Sequence, residues 1–291
     1  DPNNQEDEPL GEGAVFEGPF GDHTGFYSMP DRYPVMEVTA MTHRENAVYP
    51  TTVVGPPPQE DYYLGKATER IMLPLLKVMI PDIIDYHLPR FGTFHNCLFV
   101  KIKPQYEENA RKVMYAIWGA GQLAWTKIIV IVNDTVDVHN EREVFTVLGG
   151  IDIHEDIEVV RGPLDILDHA APKIGAGGKI GFDATHTSGG NGIEIISVKK
   201  KQGGDGANAL EVANEQLDES VKMMFAIDDH VDKENLGDVF FNFCACFDPI
   251  RDMHYFENRT GFDGTTKMKG DERNGKNVRP WPPALVLDRC D

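Results

Sequence analysis

The spacing of apolar and polar residues changes along the chain and predicts different elements in turn. The two kinds alternate from Val35 to Met41, and β-branched and aromatic residues continue to Val54, which predicts antiparallel strand. The prolines of GPPPQE at 55–60 end this region, because proline cannot donate to a strand ladder. Apolar residues then recur at helical spacing from 64 to 79, and Pro74 is expected to kink or divide that helix.

The middle of the chain alternates between strand and helix signals. The segments are a strand at 97–103, a helix at 106–121, a strand at 127–138, a short helix at 141–150 and a strand at 156–160. This alternation is typical of an α/β domain with a mostly parallel sheet covered by helices. The glycine-rich stretch at 175–192 predicts a loop.

The last hundred residues contain an amphipathic helix signal at 210–227 and a possible repeat of earlier sequence. Gly-Phe-Asp-x-Thr occurs at 181–185 and again at 261–265, and each copy follows a Val-Phe pair and an apolar stretch. A partial internal duplication, an insertion that lets a second segment supply the end of the domain, and chance similarity all remain open.

The charge of the chain narrows the class of partner. The formal net charge is −19, which argues against nucleic acid and against an anionic membrane surface, because both attract basic proteins. No apolar run approaches the roughly 18 residues of a transmembrane helix. Peripheral contact with a membrane stays open.

Four cysteines, at 97, 244, 246 and 290, are too few and too unevenly spaced to indicate a disulfide framework. Cys244 and Cys246 form a C-x-C pair, but a zinc site would need further ligands nearby, and small side chains in a buried strand are the alternative. We therefore expect a reducing, cytoplasmic setting. The glycines of GAGGKIG at 175–181 depart from the spacing of phosphate-binding loops, which favours a flexible crossover.

Two carboxylates stand close together in EGPFGDHTG, Glu17 and Asp22. In a straight strand they would be roughly 16 Å apart on opposite faces, but the glycines and Pro19 between them favour a turn. Two acids in one pocket cannot both ionise cheaply, so one keeps its proton and can act as a donor. Solvated surface acids are the alternative.

The sequence around these acids closely resembles the UbiD family of decarboxylases, in the segments EGPFGDHTGFY and PVMEVTAMTHRENAVYPTTVVGPPPQE. The family includes 4-hydroxy-3-polyprenylbenzoate decarboxylases of ubiquinone synthesis and related enzymes of menaquinone synthesis. Further likeness in LPLLKVMIPDIIDYHLP, NARKVMYAIWG, KIIVIVNDTVDVHN and GGKIGFDATH extends it over residues 11–187. Residues 188–235 do not fit the pattern, and the last part resembles the family's tail only loosely.

The resemblance implies an enzyme that removes carbon dioxide from aromatic or α,β-unsaturated acids without net oxidation. Such enzymes use prenylated FMN, whose phosphate is held by a divalent metal, usually Mn²⁺, and an Arg–Glu–Asp/Glu set as reactive centre. Glu17 matches the middle acid, and Asp22 matches the last acid, the proton donor. The arginine and the metal and cofactor ligands would lie before residue 1, so we assign none of them in this chain.

Two further residues are candidates for supporting positions beside this site. His23 follows Asp22 and could tune its pKa or touch substrate, and a surface hydrogen bond is the alternative. Arg44 lies in THRENA, and an exposed pair with Glu45 is its alternative role.

The resemblance also implies the fold class, which is α/β, with the end of a split β-barrel followed by a mostly parallel α/β sandwich domain. Antiparallel strands of the cofactor-binding barrel would occupy 1–55, and the α/β domain would occupy 56–187 and drive homo-oligomerisation. An insertion with the amphipathic helix would occupy 188–235, and a repeat-like tail packing on the α/β domain would occupy 236–291.

The polar stretch DPNNQEDEPLGEGA is an unusual beginning for a domain, so we expect the chain to be the carboxy-terminal part of a longer protein. The first hypothesis is a prenylated-FMN-dependent decarboxylase of quinone biosynthesis that acts on an aromatic carboxylic acid and needs the part before residue 1. A non-catalytic α/β scaffold for oligomerisation is the alternative, and a flavin-binding sensor without chemistry is a third hypothesis.

Overall fold

The structure, a computed structural model, describes residues 14–285. The loop predicted from DPNNQEDEPLGEGA lies outside the described residues except for Ala14, and Cys290 also lies outside them. The chain divides into two compact units, one of Asp1–Asp61 with Pro282–Asp291 and the other of Tyr62–Trp281.

The first unit contains a two-stranded antiparallel ladder. Strand β1, Val15–Glu17, pairs with strand β2, Asp31–Tyr33. The backbone between them folds into a turn in which Gly21 and Tyr27 form an isolated antiparallel bridge. Residues 282–285 run antiparallel beside this turn within the same unit.

The strand predicted over 35–54 is not formed. Residues 34–59 contain neither strand nor helix, and their apolar side chains are largely exposed, for example Met36 (84%) and Tyr49 (88%). Alternating residues make a stable strand only where a neighbouring strand pairs with them and one face is buried. The described residues of this region therefore hold one antiparallel pair and no closed barrel.

Helix α1 spans Glu60–Met79 and confirms the helix predicted from the apolar spacing. Pro74 lies inside it without dividing it. The lost N–H of a proline removes one intrahelical hydrogen bond, which the rest of a long helix can tolerate. On its outer face Ile71, Leu75 and Val78 are 70%, 59% and 79% exposed.

The first sheet has five strands, β3 Ile83–His87, β4 Cys97–Ile102, β5 Ile128–Val132, β6 Ile157–Pro163 and β7 Ala176–Ala184. Their spatial order is β3-β4-β5-β7-β6. The central strands β4, β5 and β7 are parallel, and the edge strands β3 and β6 are antiparallel to their neighbours. Helices α2, Asn109–Trp118, and α3, Glu141–Leu148, complete the predicted alternation of strand and helix. The α/β class is confirmed.

Strand β7 corrects the loop predicted from the glycines at 175–192. These glycines permit close packing of the strand against its neighbours, because a Cβ on Gly181 would collide with the Met114 side chain and one on Gly178 with Pro249 and Ile250. Glycine inside a strand thus marks close approach here rather than a flexible crossover.

The second sheet has four strands, β8 Ile193–Val198, β9 Met223–Asp228, β10 Met253–Tyr255 and β11 Thr260–Asp263. Their order is β10-β11-β9-β8. Its helices are α4 Asp205–Gln216, α5 Leu236–Cys246 and α6 Pro249–Asp252.

Two predictions for this part were wrong in detail. The segment 210–227, predicted as one helix, holds the end of α4 and most of strand β9, because the apolar run Met223–Ile227 is buried on both faces as a central strand. Cys244 and Cys246 are buried as predicted, but they lie on helix α5 and not on a strand.

The two sheets are built on the same plan, which supports an internal duplication. The order β4-β5-β7-β6 in the first sheet corresponds to β8-β9-β11-β10 in the second, with the same parallel and antiparallel pairings. VDVHNEREVF at 136–145 corresponds to VDKENLGDVF at 231–240, and each segment leads into the helix that follows the central strand. The described residues of 188–235, expected to be an insertion, supply β8, α4 and β9 of this second copy.

The repeated Gly-Phe-Asp-x-Thr motif has the same local geometry in both copies. Asp183 Oδ1 accepts hydrogen bonds from the Thr185 N–H (2.9 Å) and hydroxyl (2.6 Å). Asp263 Oδ1 accepts the same two bonds from Thr265, at 3.0 and 2.6 Å. A shared side-chain turn at the end of equivalent strands makes chance similarity a poor explanation.

The largest apolar cluster lies between the two sheets and includes side chains of α3 and α5. A second cluster packs α1 and α2 on the other face of the first sheet, and a third packs α4 on the outer face of the second sheet. The two copies therefore share one core, with their equivalent faces turned toward each other.

Candidate active site

Asp22 lies in the tight turn that its glycine and proline neighbours predict. The Ser28 N–H donates to the Phe20 carbonyl (2.8 Å), and the Phe20 N–H donates to the Ser28 hydroxyl (3.1 Å), which closes the turn. Gly25 has φ of +83° and donates its N–H to the Asp22 carbonyl (3.1 Å). A left-handed φ of this kind is free of strain only for glycine.

Asp22 is buried, with 4% of the residue's surface exposed. Its Oδ1 lies 2.8 Å from His23 Nδ1, and its Oδ2 accepts from the Thr24 N–H at 3.4 Å. Burial raises the pKa of Asp22, but the hydrogen bond and charge of His23, together with Thr24, outweigh it and hold the pKa below its usual value. The carboxyl is therefore ionised at neutral pH in this environment.

Glu17 lies at the end of β1 and is exposed, opposite Asp31 in the ladder. Burial, with the charges of Asp31 and Glu17, raises the pKa of Tyr33 on the neighbouring strand. Among residues 14–285, no hydrogen bond joins the Glu17 and Asp22 side chains. The bend thus turns Asp22 inward and leaves Glu17 in a surface group of acids.

The two supporting candidates differ in their surroundings. His23 contacts the Asp22 carboxylate directly. Arg44 is exposed, and its Nε donates to the carbonyl of Asn46 (2.8 Å). In the described part of the chain Arg44 forms no ion pair with Glu45, and it has no contact with Asp22.

A buried ionic group on α1 was missed by sequence reasoning. Glu69 is fully buried, accepts hydrogen bonds from Lys66 Nζ (2.8 Å) and the Leu88 N–H (2.6 Å), and forms an ion pair with Arg70 Nη2 (2.7 Å). Burial raises the pKa of Glu69, but bonds from His87, Leu88 and Lys66 outweigh it and bring the pKa to about 2. The only sequence signal was the Lys66–Glu69 spacing on one helix face, since Arg70 directly follows Glu69, and His87 and Leu88 come from β3 and the residue after it.

The resemblance leads us to expect manganese, and the group around Glu69 contains residue types that bind such a metal. Glu69, His87 and His139 each offer one ligand atom within 4.8 Å of one another, the only such set among residues 14–285. However, the Lys66 ammonium already contacts both Glu69 oxygens and His87 Nδ1, so it holds the place that a cation would take. The set does not fit a resident metal.

A second buried ionic group lies in the second copy. Lys267 Nζ lies 3.1 Å from Asp263 Oδ1 and 3.6 Å from Asp252 Oδ2, and Arg251 Nε lies 2.7 Å from Asp252 Oδ1. Burial lowers the pKa of Lys267, but the two aspartates outweigh it and raise the pKa above its usual value. Every charge in the group has a partner, so we interpret it as structural.

Comparison with known families agrees with this architecture. Residues 9–57 match the profile of the 3-octaprenyl-4-hydroxybenzoate carboxy-lyase Rift-related domain. Residues 62–184 and 185–279 each match the profile of the 3-octaprenyl-4-hydroxybenzoate carboxy-lyase C-terminal domain. The chain belongs to the UbiD family, and both copies of its α/β unit carry the likeness.

Individual relatives extend the comparison. An uncharacterized protein of Archaeoglobus fulgidus is 54% identical over 171 residues, which are 58% of this chain and 36% of the relative. The chain thus matches about a third of the length of that relative. Vanillic acid decarboxylase of Sedimentibacter hydroxybenzoicus, in closed form, has a TM-score of 0.55 at 20% identity over 70% of this chain and 44% of its own, a likeness of fold.

The UbiD-class enzyme HmfF of Pelotomaculum thermopropionicum, solved in complex with FMN, is 26% identical, with a TM-score of 0.49 over 60% of this chain and 39% of its own. Within residues 14–285, no helix is both long enough and apolar enough to cross a membrane.

Proposed function

We propose that this chain is part of a prenylated-FMN-dependent decarboxylase that acts on aromatic or α,β-unsaturated carboxylic acids, in quinone biosynthesis and in the cytoplasm. Family membership over both units supports the reaction class. The observation that carries the assignment of a reacting group is the buried Asp22 carboxylate on a glycine-rich bend within the Rift-related segment. Loss of carbon dioxide leaves a carbanion-like carbon that must receive a proton.

Asp22 is the proton donor in this proposal, but its carboxyl group is ionised before substrate binds. A carboxylate must first take up a proton, and a substrate carboxylate beside Asp22 would favour this because like charges raise a pKa. His23 is the positioning residue, since its Nδ1 lies 2.8 Å from Asp22 Oδ1 and orients the acid. When substrate binding excludes water, the acid is held at the newly formed carbanion.

In this proposal Glu17 supplies a negative charge at the substrate end of the site and helps to orient the groups there. Its exposure at the end of β1 leaves its carboxylate available to a cationic partner outside the described residues. Arg44 is a supporting residue in this proposal, and only the resemblance to the family supports that role.

The cofactor supplies the electron sink for the reaction when it is bound. Among the described residues, the one set with metal-binding spacing is Glu69, His87 and His139, and the Lys66 ammonium occupies the centre of that set. These residues therefore do not fit the metal that would accompany the cofactor. We therefore derive no step through flavin or Mn²⁺ from this chain, and we propose that their ligands lie outside it.

The test is the pair of variants Asp22→Asn and Asp22→Glu in the enzyme that contains this chain, reconstituted with prenylated FMN. Carbon dioxide release from a panel of aromatic acids should fall by about 10²–10⁴-fold in Asp22→Asn, the range of general acid catalysis, and partly return in Asp22→Glu. The flavin absorbance should show unchanged cofactor loading. Asp31→Asn, an exposed acid on β2, is the matched control. Wild-type rates in Asp22→Asn would remove Asp22 from the reaction.

A second candidate function, a scaffold for homo-oligomers, is favoured by the outer face of α1. Ile71, Leu75 and Val78 expose most of their apolar surface on this one helix face, and contiguous apolar patches mark interaction sites. Light scattering of Leu75→Glu against wild type tests this role. A lower mass for the variant supports it, and a monomeric wild-type protein contradicts it.

A further inference from the structure

A cavity of about 420 Å³ lies where the two copies of the α/β unit meet, wholly within Tyr62–Trp281. We call it the basic cavity. Its lining includes Arg161 at the end of β6, Lys173 in the β6–β7 connection and Lys276 after the second Gly-Phe-Asp-x-Thr motif. Each of these three side chains is long enough to bring a positive charge to a ligand in the cavity.

The basic cavity departs from the symmetry of the duplicated fold. The connection between β6 and β7 runs over residues 164–175, whereas the equivalent connection between β10 and β11 has only residues 256–259. On the short side, His154 reaches across and contacts the Glu257 carbonyl (3.2 Å). The long connection therefore builds a wall that has no counterpart in the other copy.

The charges of the cavity are unbalanced. Within residues 14–285, neither Arg161 nor Lys173 nor Lys276 forms an ion pair, although the chain carries a net charge of −19. Asp248 lies behind Gly177 but is fully buried, and it already accepts from the N–H groups of Gly178 (2.8 Å) and Ile250 (3.1 Å). Three unpaired cations around one concavity attract an anion.

The remaining lining is apolar or small. Ile250, Pro172 and Ala176 present hydrocarbon surface, and Gly275 leaves open space, because a Cβ there would meet no atom within 4 Å. The Asn274 side chain donates to the Ile250 carbonyl (2.8 Å), which fixes the segment carrying Lys276 beside α6. A ligand that used both parts of the lining would combine an anionic head with an apolar body.

We propose that the basic cavity binds a small aromatic carboxylate, whose carboxylate is held by Arg161, Lys173 and Lys276 and whose ring packs on Ile250 and Pro172. The volume holds a single substituted ring. This inference goes beyond the decarboxylase proposal and does not depend on Asp22, because it concerns residues of the Tyr62–Trp281 unit and is tested by binding rather than by turnover.

The experiment is calorimetric titration of the chain with benzoate, acetate and inorganic phosphate as probes. Benzoate should bind at least about 10-fold more tightly than acetate, because its ring removes apolar surface from water on binding. Arg161→Gln and Lys276→Met should each weaken benzoate binding by about 5-fold or more. Lys173→Arg should retain it, since that substitution keeps the charge. Thermal melting checks that each variant is folded.

Lys103→Met, which removes an exposed lysine outside the cavity, is the matched control and should bind benzoate as the wild type does. Phosphate binding as tight as that of benzoate would overturn the proposed ligand class. No benzoate binding, or equal binding by the cavity variants and the control, would overturn the site itself.

Discussion

Phe145 and Phe240 occupy equivalent positions in the two copies of the α/β unit, and their rings stack with centroids 4.1 Å apart and planes 13° from parallel. Phe182 and Phe262, also equivalent, meet with centroids 6.1 Å apart. When equivalent residues contact each other, the two bodies are related by an approximate two-fold axis, as in an isologous dimer. Here both bodies belong to one chain.

Phe240→Ala should lower the free energy of unfolding by about 3–5 kcal/mol, because the side chain is buried in the core that both sheets share. Chemical denaturation monitored by circular dichroism measures the loss. Tyr255→Ala, at an aromatic residue that is 68% exposed, is the control and should cost far less.

Combining Phe240→Ala with Phe145→Ala tests whether the stacked pair interacts. The double variant should be more stable than the sum of the single losses predicts, by about 0.5–1.5 kcal/mol, because the first substitution already removes the stacking. Strict additivity would contradict a direct interaction across the two-fold axis.

Lys267→Met should destabilise the protein by about 3–5 kcal/mol, since it leaves Asp252 and Asp263 buried without their shared cation. Urea unfolding compares this variant with Lys233→Met, at an exposed lysine of the same charge. Equal stability of the two variants would show that the ion group contributes nothing to the fold.

Low pH should reduce the stability of the Tyr62–Trp281 unit, because Glu69 then becomes protonated. Folding lowers the pKa of this carboxyl from 4.5 to about 2, so its ionised form stabilises the fold above about pH 4.5 and that contribution is lost as the pH falls toward 2. Stability measured from pH 5 to pH 2 should therefore fall less steeply in Glu69→Gln. The variant should also be less stable at neutral pH, because Lys66 loses its carboxylate partner and Arg70 keeps only Asp85. Glu215→Gln on α4 is the exposed control, and a slope in Glu69→Gln equal to that of the control variant would contradict the assignment.

His23→Asn should raise the pKa of the Asp22 carboxyl, because burial remains while the hydrogen bond and charge of His23 are lost. Carbon-13 NMR titration of the Asp22 side chain measures the change directly. With His23 present, the lowered pKa means that ionised Asp22 stabilises the fold above its usual pKa of 3.8 and less so as the pH falls below it. An unchanged titration in the variant would mean that His23 does not tune the acid.

Local patterns predicted the elements whose own apolar spacing or turn residues carry the signal. Helix α1 and strands β4 and β5 follow their apolar spacing, and the bend at Asp22 follows its glycines and Pro19. The strand expected over 35–54 failed because strand formation depends on a paired neighbour, which the spacing of one segment does not reveal.

The residues of the candidate site also divide into those that the sequence predicted and those that it did not. Sequence resemblance indicated Asp22 and His23, which do lie in contact, but it could not indicate that Glu17 would be exposed in this structure. The ionic group around Glu69 joins α1 to β3, and its partners His87 and Leu88 are distant from Glu69 in the sequence, so they meet it only after folding. Burial and distant contacts, rather than local pattern, decided these positions.

The approximate two-fold axis within one polypeptide has an evolutionary consequence. In an assembly of identical subunits, every substitution at the interface appears twice and both sides must accept it. Here each half can change without altering the other, so Thr187 and Lys267 could diverge near equivalent motifs, and the loop at 164–175 could lengthen on one side alone. A fold of this kind can acquire a feature on one half while the other preserves the packing that both require.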